Sequence, residues 1–84
     1  MSINITVKEK RTAIRKYYEG KYQKLIDGEY NAFIDAHQDG KGNVSRKFLM
    51  ARIKFLRREK DRLLDELEQA DATQVKKIYR EIFK

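Results

Sequence analysis

Between Leu49 and Ala70 the apolar residues recur at alternating spacings of four and three along the chain. The positions of this seam are Leu49, Ile53, Leu56, Lys60, Leu63, Leu67 and Ala70, so that only Lys60 interrupts the pattern. A seven-residue repeat places its members on one face of an α-helix, whereas the side chains of a strand alternate with a period of two. The chain contains no proline that would break such a helix. The sequence therefore predicts a long second helix at 45–70.

A looser helical pattern comes before the glycine-rich middle of the chain. Apolar residues from Val7 to Ile34 follow gaps of three and four, which predicts a first helix at 7–38. Gly20 and Gly28 each cost about 1 kcal/mol relative to alanine inside a helix, so a break near Gly28 is one alternative. A β-hairpin at 21–34, with its turn at Asp27 and Gly28, is a second alternative. The four-residue rhythm continues across Gly28 and favours the helix.

The remaining segments complete a small α-helical domain. We expect a loose arm at 1–6 and a glycine loop at 39–44. Asn43 or Ser45 is the expected N-terminal cap of the second helix. A third helix is expected at 73–83, with Asp71 or Thr73 as its cap. The predicted fold class is all-α: an antiparallel hairpin of two long helices plus a short C-terminal helix, in one domain of residues 1–84. Because 84 residues bury only a small core, pairing of two copies into a dimeric bundle is an alternative.

Composition excludes several kinds of site. The chain has no cysteine, which removes disulfides and zinc–thiolate sites, and its longest apolar run, Phe48–Ala51, is far shorter than the ~20 residues of a membrane span. The segment that starts at His37 resembles a calcium loop of the EF-hand kind, but His37, Lys41 and Phe48 stand where carboxylate oxygens are needed. We therefore expect a cytoplasmic protein without a metal or cofactor.

Catalytic patterns are also missing from the sequence. The serine and threonine residues fall at expected caps, arms or helix surfaces, and no nucleophile elbow or phosphate-cradling loop occurs. The acidic residues from Asp61 to Glu68 belong to a solvated helical face. The sequence accordingly predicts neither enzymatic activity nor a small-molecule substrate.

Charge is distributed unevenly along the second helix. The chain carries a net charge of +7, and no acidic residue occurs between Ser45 and Arg58. The basic stripe, as we call it, consists of Arg46, Lys47, Lys54, Arg57 and Arg58. At 100° per residue it occupies an arc of about 120° over roughly 16 Å of helix, enough to contact about five phosphates. Basic residues at a helix N-terminus oppose the helix macrodipole, so stability alone does not explain this arrangement. A solvated face that maintains solubility and a surface that binds polyanions are the two alternatives.

The first helix carries a second basic surface and several tyrosines. The second basic surface consists of Lys8, Lys10, Arg11, Arg15 and Lys16. The segments Lys16-Tyr17-Tyr18 and Lys21-Tyr22-Gln23-Lys24 interleave aromatic and basic residues, as proteins that bind single strands do. The same tyrosines occupy apolar positions of the predicted helix, and burial in the core is the more common use of such residues.

Two functions are compatible with these patterns. The first is a small non-enzymatic regulator or adaptor that binds nucleic acid through phosphates, with both basic surfaces and little base specificity. The alternative is a protein-binding module (an inhibitor, adaptor or assembly component, for example one encoded by a phage or mobile element) that docks on an acidic partner surface. Its expected protein interface, which would also serve a homodimer, is Leu49, Ile53, Leu56, Leu63, Leu67, Ile78, Tyr79 and Phe83. Membrane-surface binding is less favoured because the chain lacks tryptophan.

Overall fold

The computed structural model describes residues 5–38 and 46–84. Its helices are α1 (Val7–Gln38), α2 (Arg46–Gln69) and α3 (Ala72–Ile82), and no strand occurs in these two ranges. The predicted all-α class is confirmed for this part of the chain. Helix α1 continues through Gly28, so neither the break nor the β-hairpin alternative is present. The expected glycine loop, the Asn43 and Ser45 caps and residues 1–4 of the arm lie outside the described residues.

Side-chain caps fix the starts of α1 and α3. The hydroxyl of Thr6 accepts a hydrogen bond from the Glu9 backbone N–H at 3.1 Å and donates one to the Glu9 carboxylate at 3.0 Å. This threonine and glutamate have the spacing of a capping box. At α3, the Asp71 carboxylate accepts from the Gln74 backbone N–H at 2.9 Å. Asp71, rather than Thr73, is therefore the cap, and α3 begins one residue earlier than expected.

The three helices enclose two apolar clusters. The middle cluster consists of Tyr22, Ile26, Leu49, Ile53 and Leu56, with Phe33 and Leu63 packed against it. The end cluster consists of Ile14, Leu67, Ala70 and Val75, with Val7, Tyr18, Ile78, Tyr79 and Ile82 packed against it. The early part of α1 thus contacts the late part of α2, and the late part of α1 contacts the early part of α2. Helix α3 packs on the first half of α1.

Adjacent pairs of apolar residues on α1 divide between core and solvent. Ile26 is 5% exposed, whereas its neighbour Leu25 is 44% exposed. Phe33 packs against the middle cluster, while Ile34 is 49% exposed. Since successive residues of a helix point about 100° apart, only one member of each pair can face α2. The molecule as a whole is elongated, with extents of 57 × 28 × 15 Å.

Candidate nucleic-acid interface

The basic stripe lies on the outer surface of α2. Leu49, Ile53 and Leu56 turn toward α1 and are buried, which fixes the rotation of the helix about its axis. The stripe is centred about 120° from this buried seam. All five of its members are exposed: Arg46, Lys47, Lys54, Arg57 and Arg58. The core of the protein therefore holds the stripe in position without covering it.

None of the five stripe residues forms an ion pair within residues 5–38 and 46–84. Arg57 and Asp61 have helical ion-pair spacing, yet the ion pair seen on this helix is Arg62–Glu66, at 3.7 Å. A shallow depression of about 380 Å³ lies on the stripe, lined by Met50, Ile53, Lys54, Arg57, Arg58 and Asp61. Its surroundings are cationic, with the one carboxylate of Asp61 at the end nearer the acidic half of α2. Such a surface attracts anions, and none of its cations is held by an ion pair with a described residue.

The second basic surface is divided between structural contacts and solvent. Arg11 is half-buried and donates hydrogen bonds to the Leu67 backbone carbonyl and, at 3.0 Å, to that of Ala70. Arg15 forms an ion pair with Glu68. The ammonium of Lys10 lies 5.4 Å from the centre of the Tyr79 ring. Lys8 and Lys16 are exposed. Three members of the predicted surface thus hold α1 against α2 and α3.

Arg11 also explains part of the unusual charge polarity of α2. The last turn of this helix contains no basic residue, although cations near a helix C-terminus are favourable. Arg11 supplies the missing positive charge from α1 and satisfies two carbonyls at the end of α2. The acidic C-terminal half of α2 therefore has a structural partner. The basic N-terminal half makes one ion pair of this kind, from Arg52 to Glu29 at 2.9 Å, and Arg52 is not a member of the stripe.

The candidate protein-interface residues are mostly used inside the chain. Leu49, Ile53, Leu56 and Leu67 are buried between the helices, and Leu63, Ile78 and Tyr79 are half-buried against the two clusters. Phe83 is 43% exposed. The large apolar side chains that α2 exposes lie outside the predicted seam, with Phe55 at 64%, Phe48 at 57% and Met50 at 45%. Their positions about 100° or more from the seam were the signal that sequence reasoning overlooked.

The three tyrosines of α1 differ in their surroundings. Tyr22 is buried in the middle cluster, and burial raises its pKa, with Glu59 adding to the rise and Arg62 opposing it. Burial also raises the pKa of the half-buried Tyr18, with a smaller contribution from Glu66. Tyr17 is 42% exposed. Tyr22 and Tyr18 therefore contribute to the apolar clusters, whereas Tyr17 presents its ring to solvent.

The described part of the chain contains no group of three or more His, Asp or Glu side chains arranged to hold a metal ion. None of its helices is long and apolar enough to cross a membrane. Most of the calcium-loop resemblance, from Asp39 to Ser45, lies outside the described residues.

No protein-family model matches the chain, and neither the curated proteins nor the solved structures include a significant match to it.

Proposed function

We propose that this chain is a small, basic, non-enzymatic regulator or adaptor that acts in the cytoplasm and associates with nucleic acid through phosphate contacts. The observation that carries the proposal is the basic stripe: five exposed cations on one face of a helix, none of them in an ion pair with a described residue. Phosphate contacts of this kind release counterions and bind any sequence. They position a protein on nucleic acid without reading bases.

The basic residues of α1 differ in what they can contribute to binding. Arg11 and Arg15 make contacts that stabilise the fold, so we assign them to the scaffold. Lys10 contacts the Tyr79 ring, whereas Lys8 and Lys16 remain available to add charge at the opposite end of the molecule. The stripe residues make the main contacts. Removing one of them should therefore weaken binding without unfolding the protein.

A paired substitution tests the proposal directly. Arg57→Ala/Arg58→Ala removes two adjacent stripe charges and is expected to weaken binding to labelled duplex DNA at least about tenfold in fluorescence anisotropy at 100 mM salt. Lys76→Ala/Lys77→Ala is the matched control, because it removes two adjacent exposed charges from α3. Equal losses in the two variants would mean that net charge, and not the stripe, is responsible.

The scaffold that we propose for this function is the antiparallel hairpin of α1 and α2 with α3 folded back on α1. The reversed order of contacts in the two clusters supports it. We further propose that two copies pair through the exposed apolar residues of the long helices, such as Phe48 and Phe55, which lie seven residues apart on one face of α2 and outside the basic stripe. Sedimentation equilibrium should then give twice the monomer mass for the wild type and the monomer mass for Phe55→Glu. A wild type that remains monomeric at high concentration would contradict pairing.

Docking on an acidic protein surface is the second candidate function. Phe55 favours it, because this aromatic ring is 64% exposed and is flanked by Arg58, Glu59 and Arg62. Aromatic residues of this kind anchor protein interfaces, and nearby charges add orientation and on-rate. A protein partner that stays bound at 200 mM salt, and is lost with Phe55→Ser but retained with Arg57→Ala/Arg58→Ala, would favour this function over the first.

A further inference from the structure

A notch lies on α1 just beyond the end of α3. Helix α3 runs along the first half of α1 and stops at Ile82, with Phe83 as its C-terminal cap. Helix α1 continues past this point to Gln38 and is not covered there by α3. The notch measures about 580 Å³ and is lined by Lys16, Tyr17, Gly20, Lys21, Lys24 and Leu25. None of its lining residues takes part in the ion pairs or the interhelical hydrogen bonds described above.

The wall of this notch is an aromatic ring held in place. Tyr17 is 42% exposed, and its ring meets Phe83 edge-on with 6.0 Å between centroids and 67° between planes. The Tyr18 ring is also a neighbour, at 5.9 Å between ring centroids and 57° between planes. Contacts of this geometry stabilise aromatic pairs. The neighbours therefore orient the Tyr17 ring while leaving part of it open to solvent, as a stacking platform requires.

Three exposed lysines line the same notch as this ring. Lys16, Lys21 and Lys24 line the notch, and none of them forms an ion pair with any residue in the described ranges. Lys21 also lies 6.0 Å from the centre of the Tyr22 ring, which restrains its position. An aromatic platform bordered by unpaired cations is complementary to a base with phosphates on either side.

The glycine at position 20 is a second, independent feature of the notch. It is exposed in the middle of a helix, where alanine would be favoured, and a Cβ atom built there would meet nothing within 4 Å. The packing of the chain therefore gives no reason for glycine at this position. Without a side chain, the floor of the notch beside Tyr17 remains open to a flat ring that approaches the helix backbone closely.

We infer that the notch binds one base of a single-stranded nucleic acid, stacked on Tyr17 above Gly20, with the adjacent phosphates contacted by Lys16, Lys21 and Lys24. The inference rests on the proposed function and makes it more specific, because it names single-stranded nucleic acid as the preferred ligand. A base that is paired within a duplex would have to leave its stack to reach the Tyr17 ring, which costs free energy. The basic stripe holds the backbone of either single or double strands. The notch adds a preference for single strands.

Anisotropy with three labelled probes of equal length tests the inference: an oligothymidylate, an abasic single strand and a DNA duplex. Tyr17→Ala should weaken oligothymidylate binding roughly 5- to 150-fold, the affinity equivalent of one stacked base, with little effect on the other two probes. Tyr17→Phe should bind like the wild type. Tyr30→Ala is the matched control, because Tyr30 is another exposed tyrosine of the same helix and does not line the notch.

Gly20→Ala separates binding from folding. This variant should raise the thermal midpoint, because alanine is the better helix former, and yet weaken oligothymidylate binding because its methyl group occupies the floor of the notch. Equal binding of oligothymidylate and abasic strand by the wild type would overturn the inference, as would equal losses in Tyr17→Ala and Tyr30→Ala. If duplex binding still depended on Arg57 and Arg58, the proposed function would survive that result. Failure of every probe to bind would overturn both.

Discussion

At the scale of single residues, the most consequential contact is one that no local pattern predicts. Arg11 appears in the sequence as one of several cations near the start of α1. In the fold its guanidinium reaches the carbonyls of Leu67 and Ala70, more than fifty positions along the chain. Arg11 thereby joins the end of α2 to α1. The sequence predicts it as a ligand contact, whereas in the fold it stabilises the packing of the helices.

Replacing Arg11 should accordingly affect stability. Arg11→Ala is expected to lower the free energy of unfolding by about 2 kcal/mol, because it removes two charge-assisted hydrogen bonds from a half-buried site. Arg11→Lys should recover part of the loss, since an ammonium lacks the second arm of the guanidinium. Urea denaturation measures both values. A change below about 0.5 kcal/mol in Arg11→Ala would show that the contact contributes little.

Tyr22 makes stability depend on pH in the alkaline range. Burial, and to a smaller extent Glu59, raises its pKa above the value near 10 of an unfolded tyrosine, with Arg62 acting in the opposite direction. A raised pKa means that the unfolded state loses its proton first. The contribution of the neutral Tyr22 phenol to the free energy of unfolding is therefore complete below pH ~10. It is lost as the pH rises through the folded-state pKa.

The pH dependence can be assigned with a phenylalanine substitution. Tyr22→Phe has no phenol to ionise, so its unfolding free energy should fall less than that of the wild type between pH 9.5 and 11.5. Tyr30→Phe removes an exposed hydroxyl from the same helix and serves as the control for general alkaline effects. Parallel curves for the wild type and Tyr22→Phe would contradict the role given to burial.

At the scale of whole elements, the regularity of the apolar repeat determines whether the sequence predicts which face of a helix is buried. The seam of α2 repeats regularly, and its members Leu49, Ile53, Leu56 and Leu67 are all buried. Helix α1 must instead face α2 on one side and α3 on another, so its apolar residues spread around the helix. The sequence identifies α1 as a helix but does not say which member of the Leu25–Ile26 pair is buried. That choice depends on the positions of the other helices.

The same limit applies to the candidate sites. The basic stripe could be located from the sequence because five cations fall on one side of a well-defined seam. The notch could not, because it depends on where α3 ends and on the contact of Phe83 with Tyr17. The sequence marked the Lys–Tyr segments of α1 but gave no means of separating Tyr17 from Tyr22.

Continuity of α1 gives a prediction at this scale. Gly28 is exposed within the helix, and a Cβ atom there would meet nothing within 4 Å. Gly28→Ala should therefore raise the free energy of unfolding by about 1 kcal/mol. The exposed Ala32 offers the reverse experiment on the next turn, since Ala32→Gly should lower it by a similar amount. Thermal or urea unfolding gives both numbers, and a destabilised Gly28→Ala would mean that α1 bends at residue 28.

At the scale of the whole molecule, a small core supports a surface with a large charge. The buried side chains form two clusters along a molecule of 57 × 28 × 15 Å, while the chain carries a net charge of +7. Surface cations that have no internal partner repel one another in the free protein. Binding a polyanion relieves this repulsion. Arg11 and Arg15 bind groups at the acidic end of α2, whereas the stripe cations at its basic end form no ion pair with a described residue. This distribution of charge is the main reason for proposing phosphate binding.

Phosphate binding by the basic stripe can be tested through the salt dependence of duplex binding between 50 and 200 mM. If the stripe contacts five phosphates, a plot of the logarithm of the association constant against the logarithm of salt concentration should have a slope of about −4.5. In Arg57→Ala/Arg58→Ala, which retains three stripe cations, the slope should fall to about −2.7. A wild-type slope near zero, or an unchanged slope in the double variant, would contradict phosphate binding by the basic stripe.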